Sequence, residues 1–214
     1  MKIKAIVFDV DGVLTEIDSV WQYIHKNLGT SEQAKINAIM FKKGLIDYAE
    51  WARRDVSLWK DLSFQKIKEI IAAIPVRAGA EELFHYLKKV KNLKIIALSA
   101  GLEIVIEHLK ETLEIDYHLA NILVTKNGVI TGDVEVLVGY NDKGSVMSKL
   151  CEKAGIKTNE CIAVGDSEVD VPMFKVASIG IAFNPKDEIT AKSADVIVNS
   201  NNLKSLIPVI DSLL

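Results

Sequence analysis

Near its start, the chain has a short apolar run followed directly by two acidic residues. This arrangement limits the structures that the segment can form. The apolar pattern of residues 3–8 predicts a buried β-strand, and Asp9 and Asp11 come immediately after it. Side chains two positions apart in an extended chain project from the same face, so both carboxylates can reach one site. A divalent cation relieves the repulsion between such carboxylates, and Mg²⁺ prefers oxygen ligands. Gly12 then permits a sharp turn and the close approach of a ligand to its backbone N–H.

Most of the remaining chain alternates between apolar strands and amphipathic helices. After residue 76 we predict strands at 93–98, 117–125, 128–130, 133–138, 161–164, 179–182 and 195–198, and helices at 79–91, 103–113, 141–154, 170–176 and 203–213. Alternation of this kind builds a parallel sheet with helices on both faces. The predicted fold class is therefore α/β, a Rossmann-like parallel sheet flanked by helices.

A long segment without strand signals separates the first strand from the rest of the predicted sheet. Between residues 15 and 75, apolar side chains recur at helical spacing, and all three tryptophans of the chain lie there. This pattern predicts successive amphipathic helices that form a small bundle. We therefore expect an α/β catalytic core of residues 1–14 and 76–214, with a small helical cap of residues 15–75 inserted after the first strand.

The composition limits the partners of the chain. Hydrophobic residues make up 49% of the 214 positions and charged residues 26%, the balance of a globular protein with a substantial core. A net charge of −3 argues against nucleic acid or an anionic membrane as the main partner, and no apolar stretch is long enough to span a bilayer. Cys151 and Cys161 lack a metal-type spacing, so we expect buried thiols in a reducing compartment, by default the cytoplasm.

Polar residues follow several of the predicted strands at the point where each strand ends. Ser99 follows the strand at 93–98, Asp166 follows the strand at 161–164, and Lys143 lies near the start of a helix. If the strands are neighbours, these groups meet Asp9 and Asp11 at the carboxyl edge of the sheet. Carboxylates, a hydroxyl, an ammonium and a divalent cation are the groups that phosphoryl transfer needs. A carboxylate nucleophile would form an aspartyl-phosphate, which water then hydrolyses.

Four ordered stretches resemble the motifs of the haloacid dehalogenase superfamily of phosphatases. They are Asp9-Val10-Asp11-Gly12-Val13-Leu14-Thr15, Leu98-Ser99-Ala100-Gly101, Lys143, and Gly165-Asp166-Ser167-Glu168-Val169-Asp170. The resemblance covers the whole chain, and the helical insertion is similar in placement to the cap of the phosphoserine phosphatase branch. It implies a Mg²⁺-dependent phosphomonoesterase that acts on a small phosphorylated metabolite through an aspartyl-phosphate.

The resemblance also implies a role for each matching carboxylate. Asp9 would be the nucleophile and a Mg²⁺ ligand. Asp11 would be the general acid and base, with its main-chain carbonyl on the metal. Asp166 would be the third protein ligand of the metal. Asp170 would hold a metal-bound water or orient Lys143.

Further roles follow for the groups that bind substrate. Ser99 and the N–H of Ala100 would bind phosphate oxygens, and Lys143 would neutralise the phosphate and Asp9. Gly12 would support the turn after the first strand. Asp18 aligns with the glutamate that phosphoserine phosphatases use for the substrate amine, and it is the shorter acid.

Other positions depart from the phosphoserine phosphatase pattern. Asp55 occupies the position at which those enzymes carry the arginine that grips the substrate carboxylate, and Arg54 beside it would face another way on a helix. Val169 replaces the asparagine that usually precedes the last aspartate. With Trp21 and Trp59, the two acids Asp18 and Asp55 favour a cap surface for polyol or amine groups.

Several alternatives remain open from the sequence alone. The substrate is phosphoserine or another small phosphate ester, such as a sugar, polyol or amino-alcohol phosphate. A phospho-accepting signalling domain uses similar groups, and a binding protein that has lost catalysis would keep the pocket. Ser99 is also placed to cap a helix, Asp170 can cap its own helix, and the tryptophans suit the core of the cap.

Overall fold

The computed structural model, which describes residues 2–214, contains one sheet built from seven strands. These are β1 (Ala5–Phe8), β2 (Lys94–Leu102), β3 (Tyr117–Lys126), β4 (Val129–Glu135), β5 (Cys161–Gly165), β6 (Ile179–Phe183) and β7 (Val196–Val198). Their order across the sheet is β4-β3-β2-β1-β5-β6-β7. All neighbouring pairs are parallel except β3 and β4, which form an antiparallel hairpin. The predicted α/β class with a parallel sheet is confirmed.

Helices cover both faces of this sheet. They are α1 (Val20–Leu28), α2 (Ser31–Lys42), α3 (Tyr48–Ser57), α4 (Phe64–Ala72), α5 (Ala80–His85), α6 (Glu103–Leu109), α7 (Lys143–Lys153), α8 (Val171–Phe174), α9 (Glu188–Ser193) and α10 (Leu206–Leu213). The central strands β1 and β5 are buried along their whole length, as expected for parallel strands with helices on both sides. Among residues 2–214, no helix has both the length and the apolar character needed to cross a membrane.

The helices α1 to α4, called the inserted helices below, begin at the polar residues that helix starts require. The side chains of Ser19, Asp47 and Ser63 accept hydrogen bonds from backbone N–H groups in the first turns of α1, α3 and α4. These caps satisfy donors that have no partner within the helix. The segment is therefore helical as predicted, while its exact limits as a separate domain stay a prediction.

The chain enters and leaves the inserted helices through a short two-stranded stem. Thr15 and Val76 form an antiparallel bridge, and the N–H of Glu16 donates to the carbonyl of Pro75 at 3.0 Å. The N–H of Arg77 closes the stem by donating to the carbonyl of Leu14 at 2.8 Å. The two ends of the insertion therefore lie side by side, directly after β1.

A second connection joins the inserted helices to the β3–β4 hairpin. The N–H of Asp61 donates to the carbonyl of Ile130 at 3.0 Å, and the N–H of Ile130 donates to the carbonyl of Leu62 at 2.9 Å. The N–H of Phe64 donates to the carbonyl of Gly128 at 2.8 Å. Because β4 is at the end of the sheet, the segment before α4 lies along its outer edge.

Some predicted element limits are wrong. The strand predicted at 93–98 continues through Leu102 as β2, so Ser99 lies inside a strand and is not a helix cap. The short strands predicted at 128–130 and 133–138 form the single strand β4. The helix predicted at 103–113 ends at Leu109. In each case pairing or packing against neighbouring elements overrides the local sequence pattern.

Charged hydrogen bonds around Asp116 connect the helical turns that follow α5 to the start of β2. The Asp116 carboxylate accepts hydrogen bonds from Lys88 at 2.7 Å, from Lys94 at 3.0 Å and from the N–H of Ile95 at 2.9 Å. Burial alone raises the pKa of Asp116, but these hydrogen bonds outweigh burial and hold the pKa below its ordinary value. The charged carboxylate is therefore the form that stabilises the fold.

We predict that Asp116→Asn lowers the free energy of unfolding by about 1–2 kcal/mol at pH 7, because charge-assisted hydrogen bonds are lost at a partly screened site. The difference from the parent should shrink as the pH falls through the lowered folded-state pKa, where the parent carboxyl is protonated as well. Urea denaturation across pH measures both effects. The exposed Glu114, which pairs with Lys89 at 3.0 Å, supplies the control Glu114→Gln, with an expected change below about 0.5 kcal/mol. Equal losses in the two variants would contradict the prediction.

Candidate active site

The strand order places the predicted site residues at one edge of the sheet. β1 lies between β2 and β5, so Asp9 after β1 has Ser99 of β2 on one side and Asp166 after β5 on the other. The N–H of Asp9 donates to the carbonyl of Val164 at 2.8 Å and keeps β1 paired up to its end. This edge is the carboxyl end of parallel strands, where open α/β sheets bind ligands.

The turn after β1 requires glycine at position 12. Gly12 has φ +81°, a left-handed conformation that residues with a Cβ rarely adopt. A Cβ there would also lie 1.8 Å from Asp166 Oδ2. The guanidinium of Arg77 donates to the carbonyls of Gly12 at 2.8 Å and Val13 at 2.9 Å, which fixes the turn from the stem of the inserted helices. Gly12 thus lets Asp9 and Asp166 approach the same point.

Lys143, at the start of α7, joins two of the aspartates. Its Nζ donates to Asp9 Oδ1 at 2.6 Å and to Asp170 Oδ1 at 2.5 Å, and all three side chains are buried. Burial alone lowers the pKa of Lys143, but the charges of Asp170 and Asp9 outweigh burial and raise it. Lys143 therefore stays positively charged inside the site.

Asp170 is fully engaged in holding its neighbours. While its Oδ1 binds Lys143, its Oδ2 accepts hydrogen bonds from the N–H groups of Asp166 at 2.9 Å and Ser167 at 3.1 Å. Of the two roles expected for Asp170, the geometry favours the orientation of Lys143. The same hydrogen bonds also shape the turn that carries Asp166.

Asp9 and Asp11 do not have enough positive charge around them to keep the pKa of either carboxyl at its ordinary value. Burial raises the pKa of Asp9 to about 7, and the charge of Asp170 adds to this effect while Lys143 opposes it. Burial also raises the pKa of Asp11 to about 7, against the hydrogen bond that Val20 N–H donates to its Oδ2 at 2.7 Å. The site therefore favours either a bound proton or an added cation.

The oxygen atoms of this cluster fit a divalent metal ion. Asp9, Asp166 and Asp170 each have a carboxylate oxygen within 4.8 Å of the others. Because both oxygens of Asp170 already accept hydrogen bonds, Asp9 and Asp166 are the two that can bind a cation. In the part of the chain that the structure describes, Asp166 Oδ1 is buried without a hydrogen-bond partner, and so is Asp11 Oδ1. Unpartnered buried carboxylate oxygens are costly, and hard cations such as Mg²⁺ bind oxygen ligands of this type.

Ser99 and Ala100 lie across the site from Asp166. Ser99 is buried, and its Oγ accepts a hydrogen bond from the N–H of Gly101 at 2.9 Å, so its own hydroxyl hydrogen can be donated to a ligand. The carbonyl of Ala100 accepts hydrogen bonds from Tyr48 Oη at 2.7 Å and Asn121 Nδ2 at 2.9 Å. Ala100 therefore ties the sheet edge to the inserted helices.

These groups surround a cavity of about 160 Å³ between the sheet edge and the inserted helices. Its walls combine the predicted polar groups with four aromatic rings. They are formed by Asp9, Asp11, Asp18, Ser19, Trp21, Tyr48, Trp51, Ser99, Ala100, Gly101, Tyr140, Lys143, Asp166, Ser167 and Val169.

Lys186 also belongs to the site, although no motif in the sequence predicts it. Its side-chain Nζ lies 2.8 Å from Asp166 Oδ2, and its backbone N–H donates to the Asp166 backbone carbonyl at 2.8 Å. The same ammonium donates to the carbonyl of Asp18 at 3.1 Å. Lys186 follows β6 outside every motif, and its only sequence signal is a position just beyond a strand end of the sheet.

The residues expected to recognise the leaving group are distributed differently. Asp18 lies at the cavity with an exposed side chain, paired with Lys186. Asp55 is buried among the inserted helices, where Asn37 Nδ2 donates to its Oδ1 at 2.8 Å, and it does not line the main cavity. Trp59 is fully buried, so its expected place on the cap surface is wrong; Trp51 lines the cavity instead.

Buried carboxylates, a paired lysine and a strand-end hydroxyl on an α/β sheet, covered by inserted helices, define a hydrolase of the phosphoryl-transfer class. A family model described as haloacid dehalogenase-like hydrolase matches residues 3–178. The chain belongs to this family, and the predicted class of enzyme, a phosphatase hydrolase, is confirmed.

Curated relatives align with this chain over nearly its whole length. The phosphoserine phosphatase of Methanocaldococcus jannaschii is 33% identical over 207 residues, covering 96% of this chain and 97% of its own. The phosphoserine phosphatase of Campylobacter jejuni subsp. doylei is 32% identical over 210 residues, covering 97% of this chain and 100% of its own.

Solved structures show the same fold. A phospho-aspartyl intermediate analogue of phosphoserine phosphatase superposes with a TM-score of 0.82 at 33% identity, covering 97% of this chain and 99% of the other. A substrate-bound phosphoserine phosphatase complex also gives a TM-score of 0.82 at 33% identity, with 97% and 98% covered.

We predict that Lys186→Met lowers the free energy of unfolding by about 1–2 kcal/mol in EDTA, because the Asp166 carboxylate loses its ammonium partner inside the site. Added Mg²⁺ should stabilise the variant more than the parent, since the cation supplies the missing positive charge. Urea denaturation with and without Mg²⁺ tests both statements.

The matched control is Asp18→Asn, which alters the exposed partner of Lys186 and keeps the contact with Asp166. Its expected change is below about 0.5 kcal/mol. If Lys186→Met is as stable as the parent in EDTA, Lys186 does not support Asp166.

Proposed function

We propose that this enzyme is a Mg²⁺-dependent phosphomonoesterase that hydrolyses a small phosphorylated metabolite through an aspartyl-phosphate on Asp9. One observation carries the proposal: Asp9 is buried at the cavity with one oxygen held by Lys143 and with Asp11 beside it. The phospho-aspartyl intermediate analogue of a similar phosphatase supports the same chemistry.

Asp9 acts as the nucleophile in the first step. Lys143 binds Oδ1, so Oδ2 is the oxygen that attacks phosphorus while the bond from phosphorus to the leaving alcohol breaks. The charge of Lys143 lowers the energy of the charge that develops on the phosphoryl oxygens. The Ser99 hydroxyl and the Ala100 N–H hold these oxygens during the transfer.

Asp11 moves the proton in both steps. The raised pKa of about 7 lets Asp11 carry a proton near neutral pH, and it gives this proton to the leaving alcohol. In the second step Asp11 takes a proton from a water molecule as that water attacks the phosphorus of the aspartyl-phosphate. The products are inorganic phosphate, the free Asp9 carboxylate and a protonated Asp11.

A metal ion at this site would be held by the side chains of Asp9 and Asp166 and the main-chain carbonyl of Asp11. When bound, Mg²⁺ supplies positive charge beside the phosphoryl group and lets Asp9 stay ionised. Lys186 holds Asp166 Oδ2 and leaves Oδ1 for the cation.

The alternative of a phospho-accepting signalling domain has less support. Asp11 is half-buried next to Asp9 with a raised pKa, and an acid in that place speeds the loss of the phosphoryl group. The curated relatives that cover this chain are phosphatases.

We predict that Asp9→Asn abolishes turnover of p-nitrophenyl phosphate and that acid quenching of this variant traps no acid-stable, hydroxylamine-sensitive phosphoprotein, because the nucleophile is gone. Circular dichroism should show an unchanged fold. The control Asp133→Asn removes an exposed acid on β4 that pairs with Arg53 and should keep full activity. Turnover by Asp9→Asn would exclude Asp9 as the nucleophile.

We predict that Asp11→Asn lowers kcat by about 10²–10⁴-fold, the usual contribution of a general acid and base. The loss should be larger for poor leaving groups, such as alkyl phosphates, than for p-nitrophenyl phosphate, which needs little protonation on leaving. Equal losses for both kinds of ester, measured by phosphate release, would show that Asp11 has another role.

A further inference from the structure

Four aromatic rings line the cavity together with the carboxylates. Trp21 belongs to α1, Tyr48 and Trp51 belong to α3, and Tyr140 precedes α7. In a phosphomonoesterase, the groups beyond the phosphoryl site meet the leaving alcohol. The chemistry of these rings therefore bears on which alcohol the enzyme accepts.

The two tryptophan rings are held rigidly. Trp21 stacks on Trp59 with ring centroids 5.8 Å apart, and its Nε1 donates to the carbonyl of Ala100 at 3.2 Å. Trp51 stacks on Phe41 at 4.6 Å. A wall that is fixed before the ligand arrives costs little conformational entropy on binding.

The polar atoms of the wall are already engaged. Tyr48 Oη donates to the Ala100 carbonyl at 2.7 Å, and Tyr140 Oη donates to Glu168. Trp51 Nε1 is the exception, because it has no hydrogen-bond partner, but it is buried and so out of the reach of a ligand. The rings therefore offer a ligand their apolar surfaces and few hydrogen bonds, which disfavours a polyol with several hydroxyl groups.

The charges of the cavity disfavour an acidic leaving group. Four aspartates line it, whereas its one ammonium, among the lining residues described, is Lys143, which is bound to Asp9 and Asp170. The nearby arginines are also engaged outside the cavity: Arg53 and Arg54 both bind Glu50 at 2.8 Å. The second ammonium at the site, that of Lys186, is paired with Asp166 and Asp18. A carboxylate on the substrate would therefore meet acids and cations that already have carboxylate partners.

We propose that the substrate is the phosphate ester of a small amino alcohol, whose ammonium lies against the rings of Trp21, Tyr48, Trp51 and Tyr140 and which carries no carboxylate. This inference rests on the proposed phosphomonoesterase activity. Aromatic faces attract cations, most strongly where water is excluded. The aspartates that line the same cavity outnumber its ammonium groups and add attraction for a positive charge.

Two matched pairs of esters test the proposal with the Mg²⁺-loaded enzyme. Ethanolamine phosphate and L-phosphoserine differ by one carboxylate, and choline phosphate and 3,3-dimethylbutyl phosphate differ by the positive charge alone. We expect kcat/KM to be at least about 10-fold higher for ethanolamine phosphate than for L-phosphoserine, because the added carboxylate meets the aspartates of the cavity. We expect at least about 10-fold in favour of choline phosphate over its neutral isostere, since a cation–π contact at a desolvated site has that value. Phosphate release is the readout.

Two variants test whether the aromatic rings of the cavity cause the preference for a cationic alcohol. Trp51→Leu should raise KM for choline phosphate by about 10-fold and erase the preference over the neutral isostere, while p-nitrophenyl phosphate is still hydrolysed. Phe64→Leu removes a ring of the inserted helices outside the cavity and should change neither value.

The outcomes separate the two proposals. Hydrolysis of p-nitrophenyl phosphate with L-phosphoserine preferred over ethanolamine phosphate, or with equal rates for choline phosphate and its isostere, overturns the amino-alcohol proposal and leaves the phosphatase intact. An enzyme inert toward every ester, p-nitrophenyl phosphate included, overturns the proposed function and this inference with it.

Discussion

The buried ion cluster of Asp9, Lys143 and Asp170 is the interaction on which the site depends. Burying these charges is expensive, and they are tolerated only because each carboxylate lies within 2.6 Å of the ammonium. The cluster fastens β1, the start of α7 and the turn after β5 to one point. Removing Lys143 would leave two buried carboxylates without a positive partner, so the same contacts that hold the proposed nucleophile also hold three elements of the fold in register.

The acids at the strand ends could be predicted because local rules and strand order determine their places, whereas Lys143 was predicted from its position among the ordered motifs of the resemblance. Asp9 and Asp11 follow from spacing along an extended chain, and Asp166 follows from the convergence of parallel strands. Lys186 and Trp51 could not be placed in the same way. Lys186 reaches the site through the length of its side chain. Whether Trp51, within α3, or Trp59, two residues after its end, faces the cavity depends on how α3 packs against α2 and β4.

The groups proposed to transfer the phosphoryl group and those proposed to contact the leaving alcohol lie on different parts of the molecule. Groups at the sheet edge, such as Asp9 and Ser99, come from strands buried on both faces and tolerate little displacement. The rings that line the rest of the cavity come chiefly from the inserted helices, where Asp55 replaces the arginine expected for a carboxylate ligand. Substitutions among these helices can change the accepted alcohol without disturbing the sheet edge.

The backbone hydrogen bonds between β4 and the segment before α4 have a consequence beyond the site. β4 is the last strand of the sheet, and an uncovered edge strand offers its N–H and C=O groups to strands of other molecules. Asp61, Leu62 and Phe64 occupy those groups at Gly128 and Ile130. The segment before α4 thereby shields this edge of the sheet against edge-to-edge association, so a chain from which the inserted helices had been excised would expose β4 and lose the helical wall of the cavity.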